Sequence, residues 1–120
     1  MPSSARGLSS CFARAERLPA TLDAVRGWLE SADPIGYARA YRVFATSDRR
    51  FAGKLHELRM PTLFLTGEQD MNSTPAMSER MAVESGDGEA VSLPGQRHMM
   101  SLVDPAAVNG VLREFLSRRT

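Results

Sequence analysis

The feature that most constrains this chain is an apolar run without alternation, Thr62-Leu63-Phe64-Leu65-Thr66, led in by Met60-Pro61 and ended by Gly67. A half-buried strand alternates apolar and polar residues. A run with no alternation fits a strand covered on both faces, as in a parallel sheet. A second, weaker run, Glu89 to Leu93, is stopped by Pro94-Gly95. Between the two runs Thr74-Pro75 reads as a helix start, with Met77, Met81 and Ala82 turned inward and an end near Gly86. Asp104-Pro105 then starts a last helix, along which Val108, Val111, Leu112, Phe115 and Leu116 form an apolar stripe. From Leu55 onward the order is helix, strand, helix, strand, helix. That alternation predicts α/β construction with two short parallel strands and flanking helices.

The residues before Leu55 read differently. Pro19 to Glu30 places Leu22, Val25, Trp28 and Leu29 at helical spacing. Asp33-Pro34 reads as an N-cap followed by proline in the first helical position, and the helix after it gathers Tyr37, Tyr41 and Phe44 on one side as packing residues. Asp48 is expected to cap a further short helix whose buried side is Phe51, Leu55 and Leu58. Residues 1–18, rich in Ser, Arg and Ala, show no period and are expected to form a poorly ordered lead. The expected organisation is thus a lead at 1–18, a helical segment at 19–58 and an α/β segment at 59–120.

Composition removes several function classes. Fifteen Lys and Arg face fourteen Asp and Glu, a formal charge of +1, so there is no basic field to hold nucleic acid. No run approaches the roughly 18 apolar residues of a membrane span, and the amino terminus lacks the apolar core of a secretory signal. The single cysteine, Cys11, cannot form an internal disulfide, and the two histidines, His56 and His98, stand far apart, so no metal-ligand spacing exists. A reducing cytoplasm is the expected compartment, and no cofactor is expected.

Chemistry in parallel α/β sheets sits in loops past the carboxyl ends of the strands. Asp70 follows the first run, in Thr66-Gly67-Glu68-Gln69-Asp70, and His98 follows the second, in Leu93-Pro94-Gly95-Gln96-Arg97-His98. Adjacent strands lie about 4.8 Å apart, so both loops emerge on one sheet edge and the carboxylate can reach the imidazole. The carboxylate would fix the ring tautomer and stabilise the imidazolium formed as the base takes a proton. Other polar residues have plainer readings. His56 is a solvated helix residue, Glu68 competes with Asp70 for the acid role, and Asp104 is a helix N-cap. Met99 and Met100 pack beside the histidine.

The stretch RMPTLFLTGEQDMNSTPAMSERMA resembles the acid-bearing strand, loop and helix of α/β-hydrolases, and VSLPGQRHMMSLVDPAAVNGVLREFL resembles their final strand, histidine loop and closing helix. The preceding TLDAVRGWLESADPIGYARAYRVFATSDRRFAGKLHEL resembles the end of the helical cap. The resemblance covers roughly Thr21 to the carboxy terminus and implies the carboxy-terminal half of that fold. It implies Asp70 as the triad acid, His98 as the general base, and hydrolysis of a small ester or lactone-type substrate as the family chemistry. Two departures stand out. Many members carry glycine just before the histidine, where Arg97 stands here. The nucleophile elbow, G-x-S-x-G between strand and helix, is absent. The nearest string is Gly7-Leu8-Ser9-Ser10-Cys11, with Ser9 or Cys11 the candidate nucleophile, and no strand precedes it. The glycine loop that helps form an oxyanion hole is absent as well.

The chain is therefore expected to carry acid and base without nucleophile and to be inactive alone. It reads as an incomplete hydrolase, a truncated product or one half of a two-chain enzyme, that acts on a small acyl substrate when complemented. The alternative is a non-catalytic binding or dimerisation module retaining part of the hydrolase fold. In either case the strand Thr62 to Thr66 has one unpaired edge, which predicts a homodimer or a complementing chain there, or the lead segment folded over it.

Overall fold

A computed structural model describes residues 19–119. Two helices come first, α1 (Pro19–Ser31) and α2 (Pro34–Phe51), followed by a short 3-10 turn (Leu55–Glu57). The α/β part then runs β1 (Thr62–Gly67), α3 (Pro75–Glu84), β2 (Gly88–Leu93), α4 (Met100–Val103) and α5 (Pro105–Arg119). β1 and β2 pair in parallel, with Thr62 opposite Gly88 and Gly67 opposite Leu93. The protein is thus an α/β chain with a two-stranded parallel sheet.

Local signals set most boundaries. Asp33 caps α2, its Oδ2 accepting from the Gly36 amide at 2.6 Å, and Pro34 takes the first helical position, where its missing N–H costs nothing. Thr74 caps α3, accepting from the Met77 amide at 3.3 Å, with Pro75 next. Asp104 caps α5, accepting from the Ala107 amide at 3.1 Å. α3 ends at Glu84 with Ser85 as its C-cap, and Gly86 then reverses the chain with φ of 76°, a left-handed value that favours glycine.

Several expectations are corrected. Asp48 caps nothing: it lies inside α2, which runs to Phe51 because no glycine or proline interrupts residues 37–52, and the Ala52 amide donates to the Asp48 carbonyl at 2.8 Å. Of that segment only Leu55 and Leu58 are half-buried, in the 3-10 turn and at its end, while Phe51 is exposed. The inward face of α3 is Ser78, Ala82 and Ser85, whereas Met77 and Met81 are exposed. Small side chains let the helix axis approach the sheet. There the hydroxyls of Ser78 and Thr66 bond to each other, tying α3 to β1, and the Ser85 hydroxyl donates to the Ala82 carbonyl at 3.0 Å.

The apolar run of β1 is only half covered. Leu63, Phe64 and Leu65 are all half-buried rather than buried on both faces. Among the described residues the buried apolar ones are few, Val25, Ala82, Leu93 and Val108, and they lie on α1, α3, β2 and α5. Tyr37, Tyr41 and Phe44 do line up along α2, the tyrosines stacked with ring centroids 6.3 Å apart and Phe44 tilted against Tyr41 at 6.1 Å, but all three are exposed. Trp28 and Leu29 on α1 are exposed too. Helical period had placed these side chains on one face correctly; it carries no information on whether another element covers that face.

The lower end of the sheet is braced by α5. Arg118 donates to both carboxylate oxygens of Glu89, at 2.8 and 3.1 Å, and Arg119 pairs with Asp87. These partly exposed pairs lie where β2 begins, at the opposite end of the strands from Asp70 and His98.

Candidate active site

Two loops leave the carboxyl ends of β1 and β2, and backbone bonds lace them together. The Glu68 amide donates to the Leu93 carbonyl at 2.9 Å, continuing the ladder one residue past the strand. The Gln69 amide then donates to the Gln96 carbonyl, also at 2.9 Å. The Asp70 amide turns back to the Gly67 carbonyl at 3.0 Å, closing a tight turn that aims the Asp70 side chain across toward the second loop. The Glu68 carboxylate accepts from the Gly95 amide at 3.3 Å, which accounts for it as a loop brace rather than a partner of the imidazole.

The structure brings the two sequence-predicted residues together. His98 Nδ1 lies 2.8 Å from Asp70 Oδ2. The other oxygen, Oδ1, accepts from the Asn72 and Ser73 amides at 2.8 and 2.9 Å. Asp70 is therefore locked on both sides, in a turn that leads directly into the capped start of α3. It is 6 % exposed, while the His98 side chain is 43 % exposed. Burial pushes the Asp70 carboxyl up, but the Ser73 amide, the His98 ring and the Asn72 amide outweigh it together, and the net effect holds the group below its ordinary value of 3.8. The carboxylate is thus anionic at neutral pH and placed to accept a proton from His98 Nδ1, and in that arrangement Nε2 is the ring nitrogen left for chemistry on the partly exposed side chain.

Gly67 is the element of this site that sequence reasoning did not single out. Its Cα lies against the backbone of the histidine loop: a methyl group built there would meet the Gln96 carbonyl oxygen at 2.5 Å, the Gln96 carbonyl carbon at 2.7 Å and the Arg97 carbonyl oxygen at 2.8 Å. The signal available in sequence was a glycine ending an apolar run, which reads equally well as strand punctuation. The short helix α4, directly after His98, was also unanticipated; its four residues are below the length at which periodicity can be read. Met99 and Met100 at its start are half-buried. His56 is exposed on the 3-10 turn, as a solvated residue would be. Ser9 and Cys11, the candidate nucleophiles, and the lead at 1–18 lie outside the described residues.

Among the described residues no group of three His, Cys, Asp or Glu side chains could hold a metal ion, and no helix is long and apolar enough to cross a membrane.

A parallel strand–helix–strand unit with a carboxylate–imidazole pair at the carboxyl ends of its strands places the chain in the α/β class, with the layout the α/β-hydrolase resemblance implies. Comparison with characterised proteins agrees. The chain is 35 % identical over 109 residues to the (E)-2-((N-methylformamido)methylene)succinate hydrolase of Acinetobacter baylyi, a match covering 91 % of this chain and 41 % of that enzyme. That enzyme is a hydrolase of the α/β-hydrolase family, and this chain is similar to it. It spans about two-fifths of the length of the curated relative. No family model matches the sequence, and no solved structure matches it.

Proposed function

We propose that this chain supplies the acid and base of a nucleophile–His–Asp triad, and that it acts in hydrolysis of a small acyl substrate once a nucleophile is brought to it. The observation that carries this reading is the 2.8 Å contact between His98 Nδ1 and an Asp70 carboxylate that two backbone amides already hold in place. In the reaction His98 Nε2 takes the proton of the attacking hydroxyl, Asp70 stabilises the imidazolium so formed, and His98 returns the proton to the leaving group. The acyl-enzyme is then cleaved by water that the same imidazole deprotonates. Esters and lactones fit this chemistry. So does the amide-like N-formyl linkage in the name of the relative's substrate, and its succinate moiety makes a dicarboxylate the first substrate to try.

Among the described residues the edge of β1 away from β2 is unpaired, and this supports a partner for the pair. The Thr62 and Glu68 amides both point at β2. Successive residues of a strand turn their N–H and C=O groups to opposite edges, so Leu63 and Leu65 present theirs away from β2. A strand carrying an elbow would add there, extending the sheet next to Asp70. The same edge supports the second reading, a non-catalytic module that dimerises through β1.

The test is turnover of an aryl ester, and of an N-acyl aminomethylene dicarboxylate, by the full chain with and without a polypeptide carrying the rest of the relative's sequence. Turnover that appears only on mixing, and vanishes with His98→Ala, is the expected result. A stable complex that stays inert would favour the binding module; no complex at all would remove the catalytic reading, and a monomer by sedimentation of the chain alone would remove the dimerising module as well.

A further inference from the structure

We infer that Gly67 is a positioning residue for the Asp70–His98 pair: the lack of a side chain there lets the histidine loop close onto the end of β1, and that closure sets the distance between carboxylate and imidazole. The inference rests on the reading of Asp70 and His98 as an acid–base pair. It adds that the pair is tuned from the back, by a residue that touches neither side chain.

The geometry is specific. The Gly67 carbonyl accepts the Asp70 amide, so Gly67 anchors the turn that presents the acid. Its Cα supports the Gln96 and Arg97 carbonyls, the two peptide groups directly before His98. One residue therefore touches the backbone of both loops. The next bond outward, from the Gln69 amide to the Gln96 carbonyl, is in place only at this spacing. All three atoms a methyl group would strike belong to the backbone, so no side-chain rotation relieves the contact. The loop itself must move, by something of the order of the missing ångström, and a 2.8 Å hydrogen bond does not survive such a displacement with its geometry intact. Gly67 is not needed here for a left-handed backbone, because the positive φ values among the described residues fall at Gly53, Gly86 and Gly95. Close approach is its role.

Gly88 provides the control. A methyl group there is blocked as severely, by the Ala82 backbone and the Ser85 side chain, but at the opposite end of the β1–β2 pair. A purely structural defect should be shared by Gly67→Ala and Gly88→Ala. A positional one should not.

The readout is the imidazole tautomer of His98, followed by nitrogen-15 and proton NMR on the full chain above the titration of both histidines. In the native chain the Asp70 carboxylate selects the Nδ1–H form. Gly67→Ala is expected to shift the ratio toward Nε2–H by about tenfold, the scale set by loss of one charge-assisted hydrogen bond, and to match Asp70→Ala. Gly88→Ala is expected to lose stability and leave the His98 tautomer where it was. If Gly67→Ala does not fold alone, it is read in a Pro94→Gly background, where a slacker loop can absorb the methyl group, with Pro94→Gly as reference. An unchanged tautomer in Gly67→Ala, an equal shift in Gly88→Ala, or a chain unfolded in both backgrounds would overturn the inference. The measurement is independent of turnover. A native chain without the Nδ1–H form would remove the pair itself, while a tautomer that follows Gly67 in a chain that no partner activates would leave the positioning role standing and remove the hydrolase reading.

Discussion

The Gln69 amide donates to the Gln96 carbonyl at 2.9 Å, and through that bond the loop bearing Asp70 is tied to the loop bearing His98 one residue before the aspartate and two before the histidine. The two chemical residues are 28 positions apart in sequence, yet their backbones are linked almost at the point where their side chains meet. A pair built this way is set by the strand ends.

Asp70 makes the stability of this chain depend on acid. Its folded carboxyl titrates below 3.8, so folding favours the ionised form. The stabilisation is complete above about pH 5 and is lost as the pH falls through 3.8 toward the lower folded value. Urea unfolding of the native chain and of Asp70→Asn, compared from pH 7 to pH 3, should show a gap between them that closes at the acid end. A gap of constant size would mean that the carboxylate's charge contributes nothing.

The buried hydroxyl pair of Thr66 and Ser78 should behave as a unit. Ser78→Ala leaves the Thr66 hydroxyl buried without its partner and should cost about 1–3 kcal/mol. Thr66→Val in the same background removes the orphaned group, and the double variant should recover part of that loss. A double-mutant cycle by chemical denaturation reads the coupling directly. Strict additivity would show that α3 is held to β1 by contact area alone.

Amide exchange should alternate along β1. Thr62, Phe64 and Thr66 turn toward β2 and should be protected, whereas Leu63 and Leu65 turn to the open edge and should exchange fast in the isolated chain. Adding a complementing polypeptide, or raising the concentration if the chain dimerises, should protect Leu63 and Leu65 selectively. Protection of these two amides in a dilute monomer would mean that another part of the chain covers the edge.

In a complemented, active assembly, Asp70→Asn should lower kcat on the order of 10^4-fold, because the amide cannot hold the same tautomer or balance the imidazolium. His98→Ala should be more severe, roughly a million-fold, since it removes the base itself. Loss confined to KM in either variant would place these residues in binding rather than proton transfer.

Much of this protein was legible from local chemistry. Asp33, Thr74 and Asp104 each precede a proline and each caps a helix, because the capping bond is made within three residues. The two apolar runs and the helix between them defined a parallel unit, and the positions of Asp70 and His98 after those runs put both at one end of it. Asp48, by contrast, looks like a cap, yet the uninterrupted residues around it simply continue the helix.

What sequence could not supply was the third dimension of each face. Met77 and Met81 looked like the buried side of α3, but the sheet accepts the small side of that helix, Ser78 and Ala82, where hydroxyls meet across the interface. Tyr37, Tyr41 and Phe44 share a face by helical period, and only the tertiary structure shows that face to be exposed. The same holds at the site. The sequence by itself determined that an aspartate and a histidine leave neighbouring strand ends, because strand and turn signals are local. Only the packing of one loop's backbone on the Cα of Gly67 decided that they meet at 2.8 Å, because contact across 28 residues depends on the space that a missing side chain leaves.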